Sequence, residues 1–160
     1  YRRQRQMCIR DSNWGDVEWI KKRWGGKLIP KGIMDAEDAR LAADSGADAL
    51  IVSNHGGRQL DGAPSSISAL PGIVEAAGRD IEVWMDGGVR SGQDVLKARA
   101  LGARGTLIGG AFLYGLGAAG EAGVTRALQI IHKELDVSMA FCGRTRIDDV
   151  GSDILLPGSF

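Results

Sequence analysis

The sequence predicts an α/β fold in which parallel strands alternate with helices, as in part of a (β/α)8 barrel. Four short apolar runs lack the apolar–polar alternation of a strand that faces water on one side, so they read as strands covered on both faces. Segments with helix start and stop residues lie between the runs. The predicted strands are 27–30, 49–52, 81–85 and 106–108.

Each predicted helix begins at a side chain that can cap its first turn. The starts are Asn13 with Asp16, Asp35, Ser65 or Ser66, and Ser91, and the matching ends are Trp24, Gly46, near Gly78 and Gly102. We expect Trp14, Trp19 and Trp24 to pack around the first helix.

After the fourth strand the sequence predicts two helices. A short one, 111–114, is broken by Gly115, Gly117 and Gly120. A long amphipathic one covers 121–140, with an apolar face and an exposed His132. The residues of that apolar face are Val124, Leu128, Ile131 and Leu135.

An internal repeat supports repeated βα units. When residues 32–47 are aligned with residues 88–103, glycines fall at matching positions and so do the predicted helix caps. A complete barrel takes roughly 250 residues. Four units and a closing helix in 160 residues therefore predict a C-terminal half barrel over 13–160. Residues 1–12 are basic and nonperiodic, and we interpret them as a frayed terminus or as foreign sequence.

The composition favours one soluble domain that binds a small ligand. Lys+Arg and Asp+Glu are equal at 20 each, which argues against nucleic acid as a partner. Cys8 and Cys142 are too few to predict a disulfide framework or a metal site. Together with the absence of a membrane-spanning apolar run, this predicts a cytoplasmic protein and leaves peripheral membrane attachment open.

The segment after the second strand carries the clearest chemistry. His55 and Arg58 lie three positions apart in a glycine-rich turn. An imidazole can move a proton near neutral pH, and a guanidinium can hold a carboxylate through two parallel hydrogen bonds. The pair predicts a carboxylate substrate with an exchangeable proton, at the strand ends where barrels build active sites.

From Trp14 onward the chain resembles the FMN-dependent 2-hydroxy-acid dehydrogenases and oxidases, which include L-lactate dehydrogenases, glycolate oxidases and mandelate dehydrogenases. The resemblance rests on residues 53–59, 31–33 and 86–90. It implies a (β/α)8 barrel, FMN as cofactor, and oxidation of an L-2-hydroxy acid, with L-lactate the first choice. It also implies a homo-oligomeric full-length protein and leaves the electron acceptor open among quinone, cytochrome and oxygen.

The resemblance implies a role for each matching residue. His55 takes the substrate proton as the C2 hydrogen leaves toward flavin N5, by hydride transfer or through a carbanion, and Arg58 anchors the carboxylate. Lys31 lies beside flavin N1 and O2, where a cation stabilises the negative charge of the reduced ring. The alternatives for these residues are a histidine bonded to backbone carbonyls, an arginine in a surface ion pair with Asp61, and an exposed lysine.

The remaining matches concern the cofactor tail, and the chain departs from the family at two places. Ser53 adds a hydroxyl near the flavin ring, Asp86 accepts from ribityl hydroxyls, Gly88 permits close approach, and Arg90 meets the phosphate. Where the family usually has glycine then arginine, this chain has Gly109 and Gly110. We therefore expect weaker FMN retention. Pro30 is a second departure, beside Lys31.

Two alternatives remain open at this level. One is another flavin- or phosphate-binding barrel, such as a type 2 isopentenyl diphosphate isomerase. The other is a non-catalytic half barrel, because the family's substrate-binding tyrosine and the aspartate that orients its histidine have no counterpart here. We expect residues 1–160 alone to show no oxidation of 2-hydroxy acids.

Overall fold

The computed structural model describes residues 12–159, in which four parallel strands form one sheet in chain order. The strands are β1 (Lys31–Ile33), β2 (Ala49–Val52), β3 (Glu82–Met85) and β4 (Gly105–Thr106). The helices are α1 (Trp14–Trp24), α2 (Ala36–Asp44), α3 (Ser66–Ala77), α4 (Gly92–Ala100) and α5 (Gly110–Phe141). Single 3₁₀ turns cover His55–Gly57, Ile147–Asp149 and Ser152–Ile154.

All strand pairs are parallel, and each crossover carries a helix, which confirms the predicted α/β class. The register pairs Val52 with Met85 and Met85 with Thr106. The carboxyl ends of β2, β3 and β4 therefore meet at one edge of the sheet. Residues 1–11 lie outside the described part, so the separate assignment of 1–12 and the interpretation of Cys8 stay predictions; Cys142 is exposed.

The capping side chains begin the helices as predicted, since a cap is a local interaction within a few residues. Asn13 and Ser91 each form a capping box with the acid three residues on. Asp35 caps α2, and Ser65 rather than Ser66 caps α3. Helices α2 and α4 have the same length of 9 residues, as the repeat predicts.

The core lies between the sheet and the helices that cover it. Every residue of β2 is buried, and Leu50 and Val52 have no exposed surface. Leu70 and Ile73 of α3 pack into the same cluster. Burial of each such side chain contributes about 1.5–3 kcal/mol, so β2 and α3 form the stable centre of the fold.

The predicted first strand is wrong in position. Strand β1 covers Lys31–Ile33. Residues 27–30 form no strand, although the Leu28 carbonyl accepts from the Asp48 N–H and the Pro30 carbonyl accepts from the Ile51 N–H. Proline has no N–H for the ladder. Lys31 is consequently the first residue of a strand and does not follow one. The fourth strand is likewise shorter than predicted.

Helix α1 has no buried residue, so the expected packing of its three tryptophans is only partly correct. Trp14 is half-buried and donates to Asp38, 3.2 Å away, but Trp19 and Trp24 are 64% and 68% exposed. Polar contacts hold α1: Asp48 accepts from Lys21 Nζ at 2.5 Å. Hydrogen bonds from Lys21, Lys27 and the Leu28 amide keep the pKa of Asp48 well below its usual range.

Helix α5 differs from the prediction of a short helix broken at three glycines. The helix continues through Gly115 and Gly117 and kinks at Ala119 and Gly120, where φ is −152° and 58°. The kink brings Gly115 against Gly123, and a Cβ added at Gly115 would lie 2.5 Å from the Gly123 carbonyl oxygen. The absence of side chains at both positions therefore permits the contact.

The outer face of α5 is more exposed than its apolar pattern predicts, since Leu128 is 50% exposed. Toward its end the helix packs on α4, where Leu135 contacts the cluster formed by Leu96, Ala100 and Val150. His132 is exposed, as predicted.

We expect Gly123→Ala to lower the free energy of unfolding by about 1–3 kcal/mol, because the new methyl overlaps the Gly115 carbonyl. Gly117→Ala is the matched control. Its added Cβ meets nothing within 4 Å, so the higher helix propensity of alanine should leave stability unchanged or raised. Urea unfolding followed by circular dichroism measures both, and equal effects of the two substitutions would refute the contact.

Candidate functional site

A cleft of about 920 Å³ opens at the carboxyl edge of the sheet. It is lined by every residue that the sequence assigns to the site except Ser53. Those residues are Lys31, His55, Arg58, Asp86, Gly88, Arg90, Gly109 and Gly110. Loops from three strands thus bring together side chains that are far apart in the sequence.

Ser53 lies beneath the cleft, only 1% exposed, and joins two of the other site residues. Its Oγ accepts from Lys31 Nζ at 2.9 Å and from the His55 backbone N–H at 3.1 Å. Lys31 Nζ also lies 2.9 Å from Asp86 Oδ2. The lysine is therefore held by a hydroxyl on one side and a carboxylate on the other, with its cation at the cleft.

Asp86 has an unused acceptor. Its Oδ1 is buried and has no hydrogen-bond partner among the described residues. A buried acceptor without a partner costs about 1–3 kcal/mol, so this oxygen suits a ligand hydroxyl.

His55 is held in an unusual backbone conformation. It is the only non-glycine residue within 12–159 with a positive φ, 56°, and Gly56 and Gly57 follow at 68° and 72°. The imidazole is exposed and has no hydrogen bond within the described part of the chain. It lies beside Gly32, where an added Cβ would be 3.7 Å from His55 Cε1.

Arg58 follows in the same turn, and its backbone N–H donates to the His55 carbonyl. Its guanidinium forms no ion pair within the described residues, so the alternative pairing with Asp61 is wrong. A free planar guanidinium at the mouth of a cleft can take a carboxylate in a fixed orientation.

The loop after β3 is tied to α4 by Asp94. One carboxylate oxygen accepts from the backbone N–H groups of Arg90 and Ser91 at 3.0 and 2.9 Å, and from the Ser91 hydroxyl at 2.9 Å. Burial raises the pKa of Asp94, but these hydrogen bonds outweigh it, and the pKa lies below its usual value. The backbone around Arg90 is fixed by this bond.

The start of α5 supplies backbone donors without a capping side chain. Among the described residues, no side chain caps the helix at Gly109, and a Cβ added at Gly109 or Gly110 would meet no atom within 4 Å. Four N–H groups at a helix start have no intrahelical partner, and they favour an anion.

Several cleft residues have no site role in the sequence assignment, among them Asn54, Ser66, Gly87 and Lys97. Lys97 could have been found, because it lies one helical turn after Asp94 and so faces the same side of α4. With Lys97 the cleft carries four basic side chains (Lys31, Arg58, Arg90, Lys97) and two acidic ones (Asp86, Asp94). This balance favours an anionic ligand.

No group of three or more histidine, cysteine or acidic side chains in 12–159 is arranged to hold a metal ion. No described helix has the length and apolar character required to cross a membrane.

A parallel α/β sheet carries a basic, glycine-lined cleft and a histidine–arginine turn at its carboxyl edge, the place where barrel proteins build their active sites. The chain belongs to the family described as FMN-dependent dehydrogenase, whose model matches residues 2–157. The resemblance inferred from the motifs is thereby confirmed.

Curated relatives agree with this family. An L-lactate dehydrogenase of Caulobacter vibrioides (strain NA1000 / CB15N) is 54% identical over 142 residues, which are 89% of this chain and 37% of the relative. An L-lactate dehydrogenase of Chromohalobacter salexigens is 50% identical, over 92% of this chain and 38% of the relative. The chain therefore spans less than half the length of these relatives.

Solved structures confirm the fold. A mandelate oxidase with (S)-2-phenylpropionate superposes with a TM-score of 0.82 and 44% identity, over 85% of this chain and 41% of that one. A mandelate oxidase variant with a monooxide FMN adduct superposes equally well over 43% of its length. The predicted part of a (β/α)8 barrel is thus correct.

We expect Asp94→Asn to lower the free energy of unfolding by about 1 kcal/mol at neutral pH, through the weakened cap. Because the folded-state pKa of Asp94 is lowered from 3.8, its contribution is present above that value and is lost as the pH falls through the folded pKa. The difference from the unmodified chain should therefore shrink toward pH 3.

Denaturant unfolding at pH 7 and at pH 3 measures this loss. Glu121→Gln, at an exposed acid in α5, is the control and should change stability by less than about 0.5 kcal/mol at pH 7. An Asp94→Asn effect that is equal at the two pH values would refute the stabilising role of the ionised Asp94 carboxylate.

Proposed function

We propose that this chain supplies the base, the carboxylate anchor and FMN-binding residues of an enzyme that oxidises an L-2-hydroxy acid to a 2-oxo acid. L-Lactate is the first candidate substrate, because relatives up to 54% identical are named L-lactate dehydrogenase. The observation that carries the proposal is a single turn next to the Lys31–Ser53–Asp86 group whose imidazole and guanidinium have no partner among residues 12–159.

The cleft residues fit FMN. Asp86 Oδ1 is a buried acceptor without a partner in the described part of the chain, and it is suited to a ribityl hydroxyl. Open space at Gly88, Gly109 and Gly110 lets a phosphate approach the backbone, and Arg90 adds positive charge. When bound, FMN accepts the two electrons that leave C2 of the substrate. Lys31 then supplies a cation that stabilises the negative charge of the reduced flavin ring.

The turn after β2 binds the substrate and takes its hydroxyl proton. Arg58 binds the carboxylate with two parallel hydrogen bonds, which fixes the direction of the adjacent C2 carbon. An imidazole nitrogen of His55 takes the hydroxyl proton as C2 is oxidised. The buried Ser53 hydroxyl holds the His55 backbone, so the base does not move away when the substrate binds.

This proposal includes inactivity of residues 1–160 alone. The sheet order leaves β1 and β4 each with one strand neighbour within the described residues. The His55 ring has no acceptor to fix its tautomer in this part of the structure. These features favour a site that needs further protein to become active. The Arg58 guanidinium, which has no ion pair within 12–159, argues against the isomerase alternative, because that reaction has no substrate carboxylate to bind.

The test is oxidation of L-lactate, with a dye as electron acceptor, by residues 13–160 completed with the amino-terminal part of the Caulobacter vibrioides relative. His55→Gln should lower kcat/KM by about 10²–10⁴-fold through loss of the base. His132→Gln, at the exposed histidine of α5, is the matched control and should have no effect.

Activity that survives His55→Gln would contradict the assigned base. Turnover of L-lactate by residues 1–160 alone would contradict the proposed incompleteness of the site. A completed protein that binds FMN but turns over no 2-hydroxy acid would favour a non-catalytic barrel.

Gly110→Arg should tighten FMN binding by about 10–100-fold, because one charged hydrogen bond contributes about 1.5–3 kcal/mol. The site has room, since a Cβ at Gly110 meets nothing within 4 Å. Gly117→Arg adds the same charge two turns further along α5 and should leave affinity unchanged. Flavin fluorescence quenching measures both variants, and unchanged affinity of Gly110→Arg would contradict the prediction.

The cytoplasmic location, the homo-oligomeric state and a quinone, cytochrome or oxygen acceptor belong to the same proposal. They rest on composition and family resemblance. Reoxidation of the reduced protein by each acceptor in turn would identify the physiological one.

A further inference from the structure

The backbone of the turn that carries His55 and Arg58 needs an external restraint. Three consecutive residues, His55, Gly56 and Gly57, have φ of 56°, 68° and 72°. A left-handed conformation is unfavourable for an L side chain such as that of histidine. The imidazole itself makes no hydrogen bond within the described residues, so the backbone conformation that carries it has to be held by other groups.

Asn54 provides that restraint through both ends of its carboxamide. Oδ1 accepts from the Gly56 backbone N–H at 3.0 Å, and Nδ2 donates to the Pro64 carbonyl at 3.1 Å. The first bond closes the turn around His55, and the second ties it to the far end of the loop after Arg58. Both an acceptor and a donor are used, so neither alanine nor aspartate can replace the group fully.

Asn54 is also bound to the start of α3 and lies close to the loop after β3. Its backbone N–H donates to the Ser66 hydroxyl at 3.3 Å, and Ser66 is only 3% exposed at the start of α3. Gly87 approaches this pair closely: an added Cβ would lie 2.9 Å from Ser66 Oγ and 3.3 Å from Asn54 Oδ1. The loop after β3, which carries Asp86, is thus packed against the restraint.

From these contacts we infer that Asn54 is a positioning residue that aims His55 and Arg58 at the substrate. The inference rests on the proposed function. Asn54 acts through the turn and not on the substrate. Although the loop after β3 passes close to Asn54, the residues that fit FMN have bonds of their own: Asp86 pairs with Lys31, and Asp94 binds the Arg90 backbone. Loss of the carboxamide should therefore impair turnover and leave FMN binding intact.

The test compares Asn54→Ala and Asn54→Asp in the completed protein. Asn54→Ala should lower kcat/KM by about 10²-fold, the effect of misplacing catalytic groups by roughly 1 Å. FMN affinity should stay within about twofold. Asn54→Asp keeps the acceptor for the Gly56 N–H, so its kcat/KM should be about tenfold higher than that of Asn54→Ala. Its new carboxylate favours the protonated imidazole, so the acid limb of the pH profile should move to higher pH.

Asn13→Ala is the matched control, since it removes the same kind of side-chain bond from the cap of α1. It should leave kcat/KM and the pH profile unchanged. If Asn54→Ala weakens FMN binding in proportion to activity, and Asn54→Asp recovers nothing, the residue is merely structural and the inference is wrong.

A second measurement separates this inference from the proposed function. In residues 1–160, hydrogen exchange of the Gly56 amide followed by NMR should be slowed relative to a free peptide, and Asn54→Ala should accelerate it at least about tenfold. A Gly56 amide without protection in the unmodified chain overturns the inference. Protection at Gly56 without any 2-hydroxy-acid oxidation by the completed protein refutes the proposed function alone.

Discussion

The buried hydroxyl of Ser53 is the contact on which the rest of the site depends. It lies at the end of β2 and accepts from Lys31 of β1 and from the backbone of His55. Lys31 in turn pairs with Asp86 at the end of β3. The Ser53 side chain therefore links Lys31 directly to His55, and through Lys31 to Asp86, across three strands. Because the hydroxyl is buried, water could not replace its hydrogen bonds if it were removed.

That contact exists only because of the strand register. Val52 pairs with Met85, so Ser53 and Asp86, the next residues along each strand, emerge side by side. A shift of one residue would turn every side chain to the opposite face of the sheet. The complete burial of β2 makes such a shift costly, so the apolar core that stabilises the fold also fixes the geometry of the site.

The sequence predicted the features that depend on short-range interactions. Helix starts at Asn13, Asp35 and Ser91 were correct, because a cap needs only a side chain and a backbone N–H a few residues away. Predictions failed where distant packing decides. The start of β1 depends on its pairing with β2. The continuity of α5 through Gly115 depends on the contact of Gly115 with Gly123.

The same division holds for the site. By itself the sequence determined the chemical groups, namely an imidazole, a guanidinium, a lysine and a carboxylate at or near strand ends, because residue type and strand period are local properties. Only the tertiary structure decided that Lys31 lies within a strand, that Ser53 joins it to His55, and that Asn54 holds the turn. These relations join residues far apart in the chain or depend on a backbone conformation, and a linear sequence displays neither.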